Sequence, residues 1–357
     1  RDFTINAMAM PVTAGGTGAL IDPHQGYRDL RAGRLVMVTE SAFGDDPIRT
    51  VRAVRFAHEL RLSVEARTER ALRDAVPLLE TESPERLRDE MSRILQSADS
   101  HRALLCLTDL GVLPWLLMRF VSDQTSQPAE KVDMVAAWEA LLADGPGGYV
   151  FEPGLFAPFQ EVVGSYREAV SRELDDEVAA GRTGHVLFKW LMLLSPGGEG
   201  EAIETSLRRL RFSRVEIRRA KTVEPGVGCL AALAAQGGAD PGALYRFYRL
   251  TGECGPAVVL YFLADRLLAA RRGVSSALLR SSLKVAESAW EAYFGRYGQI
   301  VSPPPLISGK LLRARFGLAP GPRVGRLLEA VREAQAEGEI RTQEEAWEWV
   351  EALLRRG

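Results

Sequence analysis

Cysteine is scarce: Cys106, Cys229 and Cys254 are the only three in 357 residues, and no Cys-x-x-Cys occurs. That excludes a disulfide framework and a thiolate zinc site, and it fits a reducing compartment such as the cytoplasm. No apolar run reaches the roughly 18 residues of a membrane span and no signal peptide stands at the start, so no membrane partner is expected. An excess of basic charge is also lacking. Lys and Arg number 45 against 47 Asp and Glu, a net charge of −2, so any nucleic-acid binding has to come from local basic faces. Four scattered histidines (His24, His58, His101, His185) form no metal-ligand spacing, and a lone His is read as structural or exposed.

What is present is ordinary for a soluble globular protein, with 46% hydrophobic and 26% charged residues. Residues 1–40 read as mixed structure. Leu20-Ile21-Asp22-Pro23 and Arg34-Leu35-Val36-Met37-Val38 are short apolar runs punctuated by Gly15-Gly16, Pro23, Gly26 and Gly33. From about residue 45 the pattern is helical, with Ala53, Phe56, Ala57 and Leu60 on one expected apolar face. Ser83-Pro84 signals a helix start leading into Leu87, Met91, Ile94 and Leu95. Residues 122–131, 144–154 and 195–200 read as loops, and Pro303-Pro304-Pro305 as a stiff spacer. Two helical patterns close the chain, Val324/Leu327/Leu328/Val331 and Ala346/Trp349/Val350/Leu353. Trp138, Trp190, Trp290, Trp347 and Trp349 are expected to pack rather than to stack on bases.

One helix, expected to begin near residue 44, carries recognition chemistry. Asp45, Asp46, Arg49 and Arg52 would fall within roughly a third of its circumference. Cytosine and adenine each present an amino donor beside a ring-nitrogen acceptor, which a carboxylate next to a guanidinium complements. Uracil and guanine present the reverse order. The wrong base would leave polar groups unpaired at about 1–3 kcal/mol each. Such pairs on helices are usually exposed ion pairs worth well under 1 kcal/mol, so the spacing alone is weak.

Context strengthens it. Arg1-Asp2-Phe3-Thr4-Ile5-Asn6-Ala7-Met8-Ala9, Leu20-Ile21-Asp22-Pro23 with Gly26-Tyr27-Arg28-Asp29-Leu30, and Asp45-Asp46-Pro47-Ile48-Arg49 with Arg52-Ala53-Val54-Arg55-Phe56 follow in order at close spacing. Together with Glu85-Arg86-Leu87-Arg88-Asp89-Glu90, Leu207-Arg208-Arg209-Leu210-Arg211-Phe212-Ser213 and the segment from Pro320 to Ile340, the set resembles the class II CCA-adding tRNA nucleotidyltransferase and bacterial poly(A) polymerase family over nearly the whole chain. The resemblance implies a mainly α fold: an elongated multi-helical neck, body and tail with a short α/β remnant of the nucleotidyltransferase head. Its segments would be head remnant 1–40, base-reading neck 41–105, body 106–260 and tail 261–357.

The same resemblance implies the site. Arg1 and Asp2 would contact the ribose and triphosphate, with Asn6 in the same pocket. Asp46 and Arg49 would read the base, Arg52 would belong to the nucleotide site, and Arg86 would steady the neck beside it. Asp45 stands where the family usually has Glu and would orient Arg49. Asp22 would belong to a segment tied to domain movement. The substrates would be ATP, CTP and tRNA. The bland reading of Arg1, Asp2 and Asn6 is hydrogen bonding at turns and strand ends.

The family's catalytic metal, Mg2+, is held by an Asp-x-Asp strand upstream of the Arg-Asp-Phe-Thr motif, and the chain opens on Arg1 inside that motif. We therefore expect an N-terminally truncated enzyme with no catalytic or metal residues of its own. It would give no extension of a tRNA lacking its 3′ end with labelled CTP or ATP and magnesium. The leftover head is expected to keep an uncovered apolar face and sheet edge. No His-Asp dipeptide occurs, so the body would be a scaffold without hydrolase chemistry, and Asp175-Asp176 would lie on a solvated helix face. Residues 207–221 (Arg208, Arg209, Arg211, Arg214, Arg218, Arg219 and Lys221, with Glu216) and residues 309–326 (Lys310, Arg313, Arg315, Arg323 and Arg326, with no acid) are candidate tRNA contacts. A poly(A) polymerase of the same family and a non-catalytic RNA-binding relic are the alternatives. The oligomeric state, and whether C, A or the whole CCA end is added, stay open.

Overall fold

A computed structural model describes residues 2–13, 16–121, 127–143, 151–195 and 201–356. Arg1, Gly15 and most of the loops expected at 122–131, 144–154 and 195–200 lie outside the described residues. The fold is mainly α. The chain forms two compact units that alternate along the sequence: Arg1–Val150 with Asp176–Ala220, and Phe151–Asp175 with Lys221–Gly357.

In chain order the first unit opens with a 3-10 turn (Thr4–Asn6), the antiparallel pair β1 (Val12–Thr13) and β2 (Gly16–Thr17), helix α1 (Gly26–Arg31) and β3 (Arg34–Leu35). Helices α2 (Ala42–Asp45) and α3 (Arg49–Glu59) follow, then β4 (Ser63–Val64), which pairs in parallel with β3, and α4 (Ala66–Ala75). After a 3-10 stretch come α5 (Pro84–Leu95), α6 (Ser100–Asp109), α7 (Val112–Phe120) and α8 (Pro128–Leu142). The second unit takes α9 (Pro153–Gly164) and α10 (Arg167–Asp175). The first unit resumes with the hairpin β5 (Glu177–Ala179) and β6 (Arg182–Thr183), then α11 (Gly184–Leu194), α12 (Glu201–Arg209) and α13 (Arg214–Ala220). The rest of the second unit is α14 (Val223–Ala235), α15 (Pro241–Thr251), α16 (Gly255–Arg271), α17 (Ser276–Trp290), a π-helical stretch from Glu291 to Val301, α18 (Gly309–Phe316), α19 (Pro322–Glu337) and α20 (Gln343–Arg356).

Three departures from the sequence reading have local causes. The single helix expected from residue 44 is two, because Pro47 disfavours helical φ/ψ at the residue before it; Asp46 is extended (φ −151°, ψ 91°) and ends α2. The buried face of α3 is Thr50, Val51, Ala53 and Val54 rather than Ala53/Phe56/Ala57/Leu60. Leu60 lies past the helix end and is half exposed. Residues 128–131, read as loop, are the first turn of α8 with Pro128 at its start.

Helix α5 matches its sequence signal. The Ser83 hydroxyl accepts from the Arg86 N–H, and Leu87, Met91, Ile94 and Leu95 are buried. Its far end is held by a buried charged cluster. Lys189 donates to the carbonyls of Leu95 (3.1 Å) and Ser97 (2.6 Å) and to Glu139 (2.6 Å). Glu139 in turn accepts from the Ser100 N–H and hydroxyl and from the His101 N–H, supplying α6 with a cap from a distant helix. Burial pushes the Lys189 ammonium below its ordinary value even with Glu139 beside it. Trp138 and Trp190 are fully buried in this unit, Trp138 stacked on Phe188 and Trp190 donating to Ser92. In the second unit Trp290 is fully buried. Ile307, Leu312, Val324, Leu327, Val331, Ile340, Ala346 and Val350 form the core of the last three helices, with Trp347 and Trp349 packed against it. Among the described residues no single helix is long and apolar enough to cross a membrane.

Candidate functional site

The segment before α1 is anchored on both sides of Asp2 by packing and main-chain bonds. Phe3 is fully buried against Phe43 and Phe56. Backbone bonds from Thr4 N–H to the Val36 carbonyl and from Val38 N–H to the Asp2 carbonyl fix the register. The Thr4 hydroxyl donates to Asp29, whose other oxygen takes Arg34. Asp22 accepts the N–H groups of Gly26 (2.7 Å) and Tyr27 (3.0 Å) and so opens α1. Gly26 packs directly on the turn: a Cβ there would sit 2.0 Å from the Thr4 carbonyl oxygen. The whole Asp22–Leu30 motif thus acts as a brace for residues 2–6. Met10, Val12, Leu20, Ile21, Tyr27 and Leu30 around it are exposed.

Asp2 meets two arginines of α3. Its Oδ1 lies 2.8 Å from Arg49 Nε and its Oδ2 2.6 Å from Arg52 Nη1. The Arg49 contact is an ion pair whose N–H is not aligned for a hydrogen bond. Arg49 Nη1 donates to the Ala42 carbonyl at 2.9 Å, which pins the guanidinium over the end of α2. Asp46 lies beside it, with Oδ2 at 3.7 Å from Arg49 Nε. Asp46 Oδ1 accepts from Arg86 Nη2 at 2.8 Å, and Arg86 Nη1 donates to Glu82 Oε2 at 2.8 Å. Arg52 turns its Nε to the buried Glu90, which also accepts from Arg55 and Arg93. Burial acts against the Arg52 charge, but Asp2 and Glu90 hold its pKa above the ordinary arginine value.

The structure therefore brings Asp2, Asp46, Arg49, Arg52 and Arg86 into one network. It does not bring in Asp45, whose carboxylate accepts from the Ser41 hydroxyl at 3.0 Å on the exposed side of α2. The shorter acid ends the helix and does not orient Arg49; Asp2 and the Ala42 carbonyl do. Asn6 Oδ1 accepts from the Phe3 N–H at 3.0 Å and closes the 3-10 turn, the bland role. Asp22 is a helix-opening acceptor. Two residues of the network escaped the sequence reading, Glu82 and Glu90, both buried acids flanking or within α5. The available signal was the i, i+3 pair Arg52/Arg55, two cations on one helix face that need an acid from a neighbouring helix.

The residues present do not suit a divalent metal. Asp2 and Asp46 are each taken up by guanidinium groups, and among the described residues no group of three or more His, Cys, Asp and Glu could hold an ion.

An A-adding tRNA nucleotidyltransferase of Deinococcus radiodurans is 32% identical to this chain over 380 residues, covering 98% of the chain and 77% of the relative. The chain belongs to the CCA-adding tRNA nucleotidyltransferase and poly(A) polymerase family. A CC-adding tRNA nucleotidyltransferase of Synechocystis is 27% identical over 99% of the chain and 74% of its own length. The fold is shared with the Thermotoga maritima CCA-adding enzyme in complex with tRNA, at a TM-score of 0.62, 23% identity, and coverage of 99% of this chain and 72% of that one. Residues 61–122 match the family described as "Probable RNA and SrmB- binding site of polymerase A". These relatives are enzymes.

The two basic stretches of this tRNA nucleotidyltransferase family member differ in how their charges are used. On α12, Arg208 forks onto Glu204 (3.0 and 2.6 Å), and Arg209 beside it is exposed. Arg211 is held in the left-handed region (φ +59°), with its carbonyl taken by Arg88 and its Nε 3.7 Å from Glu85. Phe212 is buried under Arg88 and Arg182. Much of that motif is therefore structural. In α18 and the start of α19, by contrast, Lys310, Arg313, Arg323 and Arg326 form no ion pair among the described residues, and Arg315 stacks over Trp347 at 4.9 Å.

Proposed function

We propose that this chain carries the base-reading site of a tRNA nucleotidyltransferase and selects CTP and ATP, in the cytoplasm, for addition to a tRNA 3′ end. One observation carries the reading. Asp46 has Oδ1 hydrogen-bonded to Arg86 and Oδ2 without a hydrogen bond, 3.7 Å from Arg49 Nε, while Arg49 has Nε ion-paired with Asp2, Nη1 donating to Ala42 and Nη2 without a hydrogen-bond partner among the described residues. An acceptor and a donor thus remain side by side, which is the complement of the amino group and ring nitrogen of cytosine or adenine. Asp2, itself held by Arg52, and the Ala42 carbonyl hold Arg49 in place, and Asp2 is proposed to meet a ribose hydroxyl. The A-adding and CC-adding names of the relatives support the same pair of bases. The free thiols fit a reducing compartment. No transfer step is assigned to the described residues, where Asp2 and Asp46 are held by guanidinium groups.

Titration of the chain with the four nucleoside triphosphates tests this. CTP and ATP are expected to bind more tightly than UTP and GTP by about 5- to 150-fold, since each unpaired polar group at the base edge costs about 1–3 kcal/mol. Asp46→Ala and Arg49→Ala should each collapse that ratio toward one. Equal affinity for all four in the unsubstituted chain overturns the proposal. The unpaired cations Lys310, Arg313, Arg323 and Arg326, with Arg315, are proposed to hold tRNA phosphates, and Arg208, Arg209 and Arg211 to contribute less. The tRNA complex of the Thermotoga maritima relative supports tRNA as the partner.

A further inference from the structure

We propose that Glu82 is a positioning residue for base selection: it holds Arg86 so that Arg86 occupies one oxygen of Asp46 and leaves the other for the nucleotide. The inference rests on the base-reading role of Asp46 and Arg49, and adds the group that makes their arrangement unique.

Asp46 needs such a group. It lies in extended backbone between α2 and α3, off either helix, so no regular hydrogen-bonding ladder fixes its side chain. Its contact to Arg49 is long, at 3.7 Å, and its one short bond is to Arg86. Arg86 cannot fix Asp46 by itself. Its side chain is half exposed, and a long arginine stem in water samples many rotamers. A freed guanidinium also has a better option with a carboxylate than the one seen here, namely the two-pronged fork that takes both oxygens. In that geometry both Asp46 oxygens would already accept from the guanidinium, leaving neither one free for a base.

Glu82 prevents this. Its side chain is only 6% exposed, and it sits immediately before the Ser83 cap of α5, with extended backbone. Oε2 accepts from Arg86 Nη1 at 2.8 Å, so one prong of the guanidinium is spent on Glu82 and one is left for Asp46. Oε1 accepts from the Ile48 N–H at 3.3 Å, which ties the same carboxylate to the entry of α3, two residues from Asp46. Glu82 therefore meters the arginine: one nitrogen to each acid, and one oxygen of Asp46 left over.

Glu82→Gln separates the two functions of this side chain. The amide oxygen can still accept from the Ile48 N–H, whereas the amide nitrogen is a donor and cannot accept from Arg86. In titrations of the chain with CTP, ATP, UTP and GTP, Glu82→Gln is expected to lower the preference for CTP and ATP over UTP and GTP about tenfold. The loss should appear in CTP and ATP affinity, with UTP and GTP affinity unmoved and the thermal midpoint close to that of the unsubstituted chain. Arg86→Ala should produce a similar loss, and the double substitution no more than either alone, because both act through one route. Unchanged discrimination in Glu82→Gln, or additive losses in the double variant, overturns the inference. Absence of discrimination in the unsubstituted chain is a separate result, seen before any substitution, and overturns the base-reading proposal itself.

Discussion

At the scale of single residues, the site depends on a hydrogen atom at position 26. The Gly26 backbone lies so close to the Thr4 carbonyl that a methyl group would overlap it, and both partners are main chain, which yields little. Gly26→Ala is expected to cost on the order of 3 kcal/mol, read as a lowered urea midpoint. It should also weaken nucleotide binding, because residues 2–6 must move away from Arg49 and Arg52. A substitution at Gly33, where a Cβ would meet open space, serves as the comparison; its left-handed backbone (φ +65°) would produce a stability cost without displacing Asp2. Asp22, Asp29 and Thr4 were visible in the sequence as motif members. Their work as a brace was not, since nothing local in the chain tells that Asp29 reaches back 25 residues to the Thr4 hydroxyl.

At the scale of elements, the same distinction between local and distant information recurs. The start of α5 and the two closing helices were legible because a cap, a proline and an apolar period of 3.6 all lie within a dozen residues. The break at Pro47 was legible in principle, and the reading of one continuous helix gave the apolar spacing more weight than the proline. The acids that complete the network, Glu82 and Glu90, were harder to read: each has an arginine three or four residues away, Arg86 and Arg93, but the contacts that tie them to α3, at Ile48, Arg52 and Arg55, span 34 to 38 residues. Glu216 is a further such case. It forks onto the buried Arg182 (2.7 and 3.0 Å) and accepts from the Ser213 N–H, joining β6 to the start of α13. Burial tends to raise its pKa, but Arg182 and Ser213 outweigh that and hold it below the ordinary 4.5. The folded state thus favours the ionised form. The stability it supplies is complete above about pH 4.5 and is lost as pH falls below that through the lowered folded value. Glu216→Gln is expected to cost about 3 kcal/mol at pH 7 by leaving the buried Arg182 with Asp89, 3.4 Å away, as its remaining acid. It should also flatten the loss of stability between pH 5 and the acid limb, measured as urea midpoints across that range.

At the scale of the molecule, a net charge of −2 hides a local surplus. Among the described residues Lys310, Arg313, Arg323 and Arg326 lack acidic partners, whereas Arg208 is already matched by Glu204. Charge that is not compensated internally is the charge available to neutralise phosphate and release counterions. Replacing Lys310, Arg313 and Arg323 by Gln should therefore weaken tRNA binding and reduce the slope of log affinity against log salt by roughly one per lost contact. Arg208→Gln should change the slope much less. Equal effects from both regions would show that the internal pairing of Arg208 is irrelevant to RNA.

The alternation of the two units along the chain bears on how the protein is made. When a ribosome has completed residue 150, the first unit still lacks α11 to α13, and with them Lys189 for the buried Glu139 and Glu216 for the start of α13. The second unit begins to emerge at Phe151 before the first is finished, and α9 must wait for α16 and α17, a hundred residues on, to find its packing partners. Neither half can be completed in order of synthesis. The nascent chain must carry α9 and α10 without their partners until α16 has been made, a stage at which a chaperone has something to hold.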